Sequence, residues 1–307
     1  MQGLLDSRSP PVEDAACGAQ GQASFSGSDD LEDFLRTHPS PRLASFISGP
    51  VPRRQTRIMD HIQAIGFDLF NTLITLEPPT LHEANARLAR SLSESGFQLE
   101  EEDFRKAHRQ AALEHLEESR KDGRETHNRF WISAALNGQG YRVSPEDSRI
   151  ARAVDSYFSA FLENCRLIPG TAEMLQTLQK EYRLGLLTNF THGPAARNII
   201  DHLGITSAFG VILISGELGY RKPHPSVFLN LIECFGVEAE RILYVGDDPE
   251  PDIQGAKAVG LQPVWTTYVM DHEVPYARGI LTGMPDPPDP SVPRISTWQD
   301  LLVLLNY

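Results

Sequence analysis

The spacing of apolar and polar positions changes twice along this chain. Up to about Ile58 it holds no sustained period, and the stretch is rich in Ser, Pro, Gly and Asp. Apolar content that low cannot offset the entropy of ordering. Residues 1–58 are therefore expected to be a disordered N-terminal extension, with a turn or two of helix at Asp30–Leu35. Met59 directly precedes the first good strand and is a candidate start of translation; a regulatory arm is the alternative. The run Ile62–Leu73, IQAIGFDLFNTL, then begins as the short apolar strand expected of a parallel sheet buried on both faces. It places Asp68 at the carboxyl end of that strand, followed by the turn formers Asn71 and Thr72.

After Glu77-Pro78-Pro79 the spacing becomes helical. Leu81, Ala84, Leu88 and Leu92 predict a first helix that stops at Gly96. Phe104, Ala107, Ala111 and the pair Leu113 and Leu116 predict a second, ending near Gly123, and a third runs from about Thr126 to Leu136. Ser144-Pro145-Glu146-Asp147 has the form of an N-cap with Pro at the first helical position, and Ile150, Val154, Phe158 and Phe161 continue from it on one face. Residues 80–167 thus read as a small helical bundle inserted after the first strand.

From Pro169-Gly170 helix and strand alternate. The pattern predicts helix Thr171–Lys180, strand Arg183–Thr188, helix Pro194–Leu203 and strand Val211–Ser215. Helix Pro225–Phe235, strand Ile242–Val245, helix Pro251–Val259 and strand Pro263–Thr267 come next. A proline-rich loop from Pro285 to Pro293 leads to a short strand near Ile295 and the helix Trp298–Leu305. Such alternation predicts an α/β protein, a Rossmann-like parallel sheet with helices on both faces, built from residues 59–79 and 168–307.

Composition narrows the function classes. At 307 residues the chain suffices for one large or two ordinary domains, and its 40% hydrophobic and 22% charged residues are in the ordinary globular range. The net charge of −13 disfavours nucleic acid or an anionic membrane as partner. An anionic substrate would need positive charge concentrated locally, by a lysine or a metal ion. Cys17, Cys165 and Cys234 lie far apart with no C-x-x-C spacing, which argues for reduced thiols and against a disulfide frame or a zinc site. The amino terminus MQGLLDSRSPP lacks a basic region followed by an apolar core, so no secretory signal is expected. Apolar runs such as Leu301–Leu305 are too short to cross a bilayer. The expectation is a cytoplasmic protein, monomeric or homodimeric.

In open α/β sheets ligands collect beyond the carboxyl ends of the strands. Four predicted strand ends here carry suitable groups: Asp68; Thr188-Asn189; Lys222, in Gly219-Tyr220-Arg221-Lys222-Pro223-His224-Pro225; and Asp247-Asp248 with Asp252 beyond. Singly, each has an ordinary role open to it, as a helix cap or a solvated loop residue. Their occurrence together, in this order, points to one site.

With those residues in view the chain resembles the haloacid dehalogenase (HAD) superfamily of hydrolases. The resemblance spans Ala64 to about Leu305 and rests on FDLFNTL, LLTN, RKPHPSVF and YVGDDPEPD. The helical insert, placed between the first two motifs, resembles the family's C1-type cap. The resemblance implies that Asp68 is a nucleophile giving an aspartyl-phosphate that water hydrolyses, and that Lys222 offsets charge on nucleophile and phosphate. It implies Mg²⁺ as cofactor, held by Asp68, the backbone carbonyl of Phe70 and Asp247, with Asp252 (or Asp248) as an outer partner. Thr188 would donate to a phosphoryl oxygen, aided by Asn189 and the free N–H groups of the Asn189–Gly193 loop, and Thr72 would brace the first loop.

One departure matters. Phosphatases of the family usually carry a second Asp two residues after the nucleophile, as general acid and then base. That position is Phe70, which transfers no proton. The dehalogenase branch also lacks that Asp, but it is metal-independent and has small polar residues where this chain has Asp247, Asp248 and Asp252. His192 and His224 flank the expected site as substitute proton donors; Arg124, His127, Arg129 and Trp131 in the insert are candidates for reading the substrate, and Arg221 for a phosphate contact. The resemblance implies a Mg²⁺-dependent hydrolase of a small phosphorylated metabolite. The alternatives are hydrolysis at carbon, as in a 2-haloacid dehalogenase or phosphonatase-like enzyme, and a catalytically weak protein that binds a phosphorylated ligand or partner.

Overall fold

The computed structural model describes residues 61–274 and 287–307. The expected extension 1–58, Met59 and the start of the proline-rich loop lie outside the described residues. Strand β1 (Ala64–Phe67) is buried along its whole length, as its unbroken AIGF run requires. Strand β2 (Ile74–Leu76) leaves the sheet layer, and four helices follow: α1 (Thr80–Glu94), α2 (Glu101–Asp122), α3 (Asn128–Gly138) and α4 (Ser148–Asn164). The chain returns through β3 (Cys165–Leu167), which pairs antiparallel with β2, Thr75 opposite Arg166. Then come α5 (Thr171–Leu178), β4 (Arg183–Thr188), α6 (Gly193–His202), β5 (Val211–Ile214), α7 (Ser215–Leu218) and α8 (Pro225–Phe235). The chain closes with β6 (Ile242–Gly246), α9 (Gly255–Ala258), β7 (Gln262–Thr266), α10 (Tyr268–Asp271), β8 (Arg294–Ile295) and α11 (Trp298–Leu304).

The α/β reading holds. Among the described residues six strands form one sheet in the order β5-β4-β1-β6-β7-β8, every neighbouring pair parallel. The chain builds outwards from β1 through β4 and β5, then returns to the other side of β1 with β6. Strand β1 is therefore the switch point, where the connections on either side diverge and leave a crevice beyond the carboxyl ends. Asp68 sits at the mouth of that crevice, between the ends of β4 and β6. On one sheet face Phe67, Leu186 and Val245 join a continuous apolar core with Leu88, Phe104, Ile132 and Phe158 of the helical insert. The other face is filled by Val227, Phe228, Leu231 and Phe235 of α8 against Leu187 and Tyr244. Among the described residues no helix is long and apolar enough to cross a membrane.

Two local expectations are corrected. Helix α4 starts at Ser148, not after Ser144, because Asp147 is the cap and accepts the Arg149 N–H at 2.8 Å. Ser144 instead closes a turn, its carbonyl accepting the Asp147 N–H. The expected helix Pro251–Val259 is a wide turn, Pro249–Gln254, before the short α9. Asp248 sets that width, since its carbonyl accepts the N–H groups of both Asp252 and Ile253. The β2–β3 ribbon and the short helices α7 and α10 have no counterpart in the sequence pattern; segments of three or four residues are too short to show a period.

The bundle also contains a buried histidine with a consequence for acid stability. His108 on α2 faces the Asn85 Oδ1 at 3.2 Å, and Asn85 is oriented by donating its amide to the Leu81 carbonyl at 2.6 Å. The Nδ1 of His108 therefore carries a proton, and its buried Nε2 has no hydrogen-bond partner. Burial pushes its pKa down to about 4. A histidine depressed in the folded state stabilises the protein above its ordinary pKa of about 6.5, and that stability is lost as pH falls towards 4, up to about 3 kcal/mol. The melting temperature should therefore drop between pH 6.5 and 4.5, with a shallower slope in His108→Gln. An unchanged slope in the variant would remove His108 from the account.

Candidate active site

The site is built on the ends of β1, β4 and β6 and the loop after α7. Lys222 is almost fully buried, and its Nζ donates to Asp68 Oδ1 at 2.6 Å, to Asp252 Oδ1 at 2.6 Å and to the Tyr244 hydroxyl at 3.0 Å. The Tyr244 hydroxyl in turn donates to the Leu187 carbonyl at 2.9 Å. All three donor positions of the ammonium are thereby aimed. Burial lowers the Lys222 pKa, but Asp252 and Asp68 outweigh it and hold the group well above the usual lysine range.

One carboxylate oxygen each from Asp68, Asp247 and Asp252 lies within 4.8 Å of the other two. One lysine does not balance three carboxylates. Burial raises the Asp68 pKa to about 6, with Lys222 acting against the rise and Asp252 with it. Asp247 is pushed well above the carboxylate range by burial and then by Asp68 and Asp252. A set of oxygen donors with surplus negative charge, two of them buried and Asp247 half-buried, suits a hard divalent cation. The first loop fits this as well. Leu73 and Ile74 donate their N–H groups to the Leu69 carbonyl, and Asn71, at φ 59°, donates to the Ile74 carbonyl, a turn that does not draw on the Phe70 carbonyl. Thr72 is buried and its hydroxyl donates to Asp247 Oδ1 at 3.4 Å.

Asp252 differs from the other two. Its Oδ1 accepts from Lys222 and its Oδ2 from the Asp248 N–H at 3.0 Å, so it shapes the site from behind. Gly246 makes room for it, because a Cβ there would lie 2.4–2.5 Å from the Asp252 side chain. Asp248 caps the wide turn by accepting the Glu250 N–H.

Thr188 ends β4 and is buried at the crevice. Asn189 is engaged with the backbone of Lys222. Its Oδ1 accepts the Lys222 N–H at 2.8 Å and its Nδ2 donates to the Lys222 carbonyl at 3.0 Å, fixing the lysine backbone. Nor is the whole Asn189–Gly193 loop free to donate, because the Phe190 N–H goes to Ser215 Oγ at 2.8 Å. Phe70 stacks on Phe190 with centroids 5.5 Å apart and meets Phe161 edge-on at 6.5 Å, so it lines an apolar wall.

The histidines near the crevice are held by hydrogen bonds. His127 Nδ1 accepts the Arg129 N–H at 3.1 Å, so its Nε2 carries the proton and donates to His192 Nδ1 at 2.9 Å. That contact joins insert and sheet layer, and burial first, then the facing His192, lowers His127 to about 4. His224 caps α8 through the Ser226 N–H. Arg124 is exposed beside Asp122, Arg129 lies over the Phe130 ring, and Trp131 packs against Ala111 and Ala112. Arg221 meets Glu125 at 3.5 Å. Tyr244, Glu125 and Ser215 were not singled out by the sequence, since nothing local marks partners 22 to 90 residues away in the chain.

A family model described as haloacid dehalogenase-like hydrolase matches residues 62–260. Ribulose-1,5-bisphosphate 5-phosphatase of Halopiger xanaduensis is 30% identical over 203 residues, covering 66% of this chain and 83% of that protein. Glyceraldehyde 3-phosphate phosphatase of Pyrococcus abyssi is 34% identical over 120 residues, covering 39% of this chain and 50% of that protein. Among solved structures, a 2-haloacid dehalogenase from Pseudomonas syringae pv. Tomato DC3000 superposes with a TM-score of 0.56 at 24% identity, over 80% of this chain and 98% of that one. At these identities the structural likeness speaks for the fold.

Proposed function

Because the chain belongs to the haloacid dehalogenase-like hydrolases, we propose that it is a Mg²⁺-dependent phosphatase of a small phosphorylated metabolite, acting through an aspartyl-phosphate on Asp68. The observation that carries this reading is the cluster of buried Asp68, half-buried Asp247 and buried Asp252 around the ammonium of Lys222. Mg²⁺ would be held by Asp68, Asp247 and the Phe70 carbonyl, with Asp252 as outer partner, and supplies the charge neutralisation that lets a carboxylate approach a phosphate dianion. Lys222 offsets charge on the Asp68 carboxylate and on the bound phosphate. Thr188 donates to a phosphoryl oxygen. An Asp68 oxygen bonds to phosphorus as the bond to the leaving oxygen breaks with its electron pair; water then attacks phosphorus and frees the carboxylate. Residues 80–167 act as the cap over this crevice.

Phe70 gives the leaving oxygen no proton, and general acid help is typically a factor of about 10² to 10⁴. Turnover should therefore fall steeply as the leaving group becomes more basic. Acetyl phosphate and p-nitrophenyl phosphate should react well, sugar phosphates slowly, and EDTA should stop all of them until Mg²⁺ is restored. Phe70→Asp places a carboxyl against Phe190 and Phe161, which costs stability and raises its pKa, and a raised pKa keeps it protonated as a donor. The variant should gain on alkyl phosphates by at most that factor. The same residue is what favours the second reading, hydrolysis at carbon. Turnover of 2-haloacids that survives EDTA, with no phosphate release from any phosphorylated compound, would establish that reading instead.

A further inference from the structure

The chain between α2 and α3 is bound to the loop that carries Lys222. Gly123–Glu125 runs antiparallel to Gly219–Arg221: the Arg221 N–H donates to the Gly123 carbonyl and the Glu125 N–H to the Gly219 carbonyl, both at 2.9 Å. Gly123 permits this approach, since it has φ 71° and a Cβ there would lie 2.6–2.9 Å from His224. The Glu125 carboxylate is then buried, with its side chain 2% exposed. Ser215 Oγ donates to its Oε2 at 2.5 Å, the Thr126 N–H donates to its Oε1 at 3.0 Å, and Arg221 Nη1 lies 3.5 Å from Oε1.

Ser215 passes the contact on, because its Oγ accepts the Phe190 N–H. Phe190 follows Asn189, whose amide grips the backbone of Lys222. The contacts therefore close a ring: Glu125, Ser215, Phe190-Asn189, Lys222-Arg221, and Glu125 again. Glu125 is the member of that ring that comes from the insert.

The geometry points to Glu125 as a positioning residue that locks the Lys222 loop to the Asn189 loop when the insert is seated. Its length and charge both fit the task. Aspartate would be one methylene short of Ser215, and glutamine would turn an N–H₂ group towards donors that now face a carboxylate. The consequence for catalysis rests on the phosphatase reading above; the coupling of the two loops does not.

The test compares Glu125→Gln and Ser215→Ala with the wild type, using the full chain. Backbone amide exchange, read without any ligand, should quicken by at least about tenfold in segments 189–193 and 219–222 and stay unchanged in β1 and the interior of α4. With p-nitrophenyl phosphate and Mg²⁺, kcat should fall by about 10²-fold while KM changes little, as expected when loops displaced by a fraction of an ångström misplace the reacting groups. The double variant should be no worse than the more damaged single one, because both break the same ring. Unchanged exchange in the two segments, or faster exchange confined to α2 and α3, would overturn the proposal. So would an unaltered kcat in variants whose exchange has quickened. If exchange responds as stated but wild type turns over no phosphorylated compound, the positioning role stands and it is the phosphatase reading that fails.

Discussion

Replacing Asp68 with asparagine is expected to abolish turnover, by about 10⁴-fold or more, without loss of the fold. Asparagine keeps the shape of the side chain and removes the anionic oxygen that attacks phosphorus. Among the described residues no other carboxylate at the crevice is free to replace it: Asp252 has both oxygens engaged and Asp247 lies on the neighbouring strand end, held by Thr72. The stability side of the prediction runs against the usual expectation for a buried ion pair. Asp68 has its pKa raised to about 6, burial first among the causes, so in the metal-free fold its charge is disfavoured. A carboxyl raised above its unfolded value adds stability while protonated and loses it as pH rises through about 6. At pH 7 the metal-free Asp68→Asn protein should therefore melt no lower than wild type. An inactive variant that also fails to fold would mean Asp68 is chiefly structural; one that keeps a sizeable part of the rate would mean it is a metal ligand only.

Lys222→Met should have the largest effect on stability. Methionine fills most of the volume but leaves Asp68, Asp247 and Asp252 together with no cation, and also removes the donor to the Tyr244 hydroxyl. Leaving buried charge uncompensated costs about 3–5 kcal/mol, which for a chain of this size is a fall in Tm of roughly 6–20 °C. The loss should be greatest without metal and partly recovered by millimolar Mg²⁺, because the cation replaces some of the missing positive charge. Scanning calorimetry with and without Mg²⁺ checks this. A variant that melts with wild type in EDTA would show that the carboxylates are protonated and that Lys222 is not what balances them.

The parts of the fold that the sequence revealed are those whose physics is local. Strand β4, Arg183–Thr188, and helix α8, Pro225–Phe235, appear with the expected bounds because an apolar run and an N-terminal proline mark them directly. The polar strand ends were visible for the same reason: a parallel sheet buried on both faces leaves its carboxyl ends as the place for charge. What could not be seen is non-local. The ring through Glu125, Ser215, Asn189 and Arg221 joins residues 25 to 96 positions apart, and the grip of Asn189 on the Lys222 backbone is invisible in a string of letters. The π-type turn after β6 escaped because its width comes from the Asp248 carbonyl, not from residue spacing.

The central claim is that Asp68 becomes covalently phosphorylated. Wild-type protein with Mg²⁺ should be mixed with acetyl [³²P]phosphate, quenched in acid during turnover and digested. The account predicts label on the peptide that contains Asp68, lost on treatment with alkali and absent from Asp68→Asn. Label on another residue, or steady phosphate release with no labelled peptide at any quench time, would contradict it.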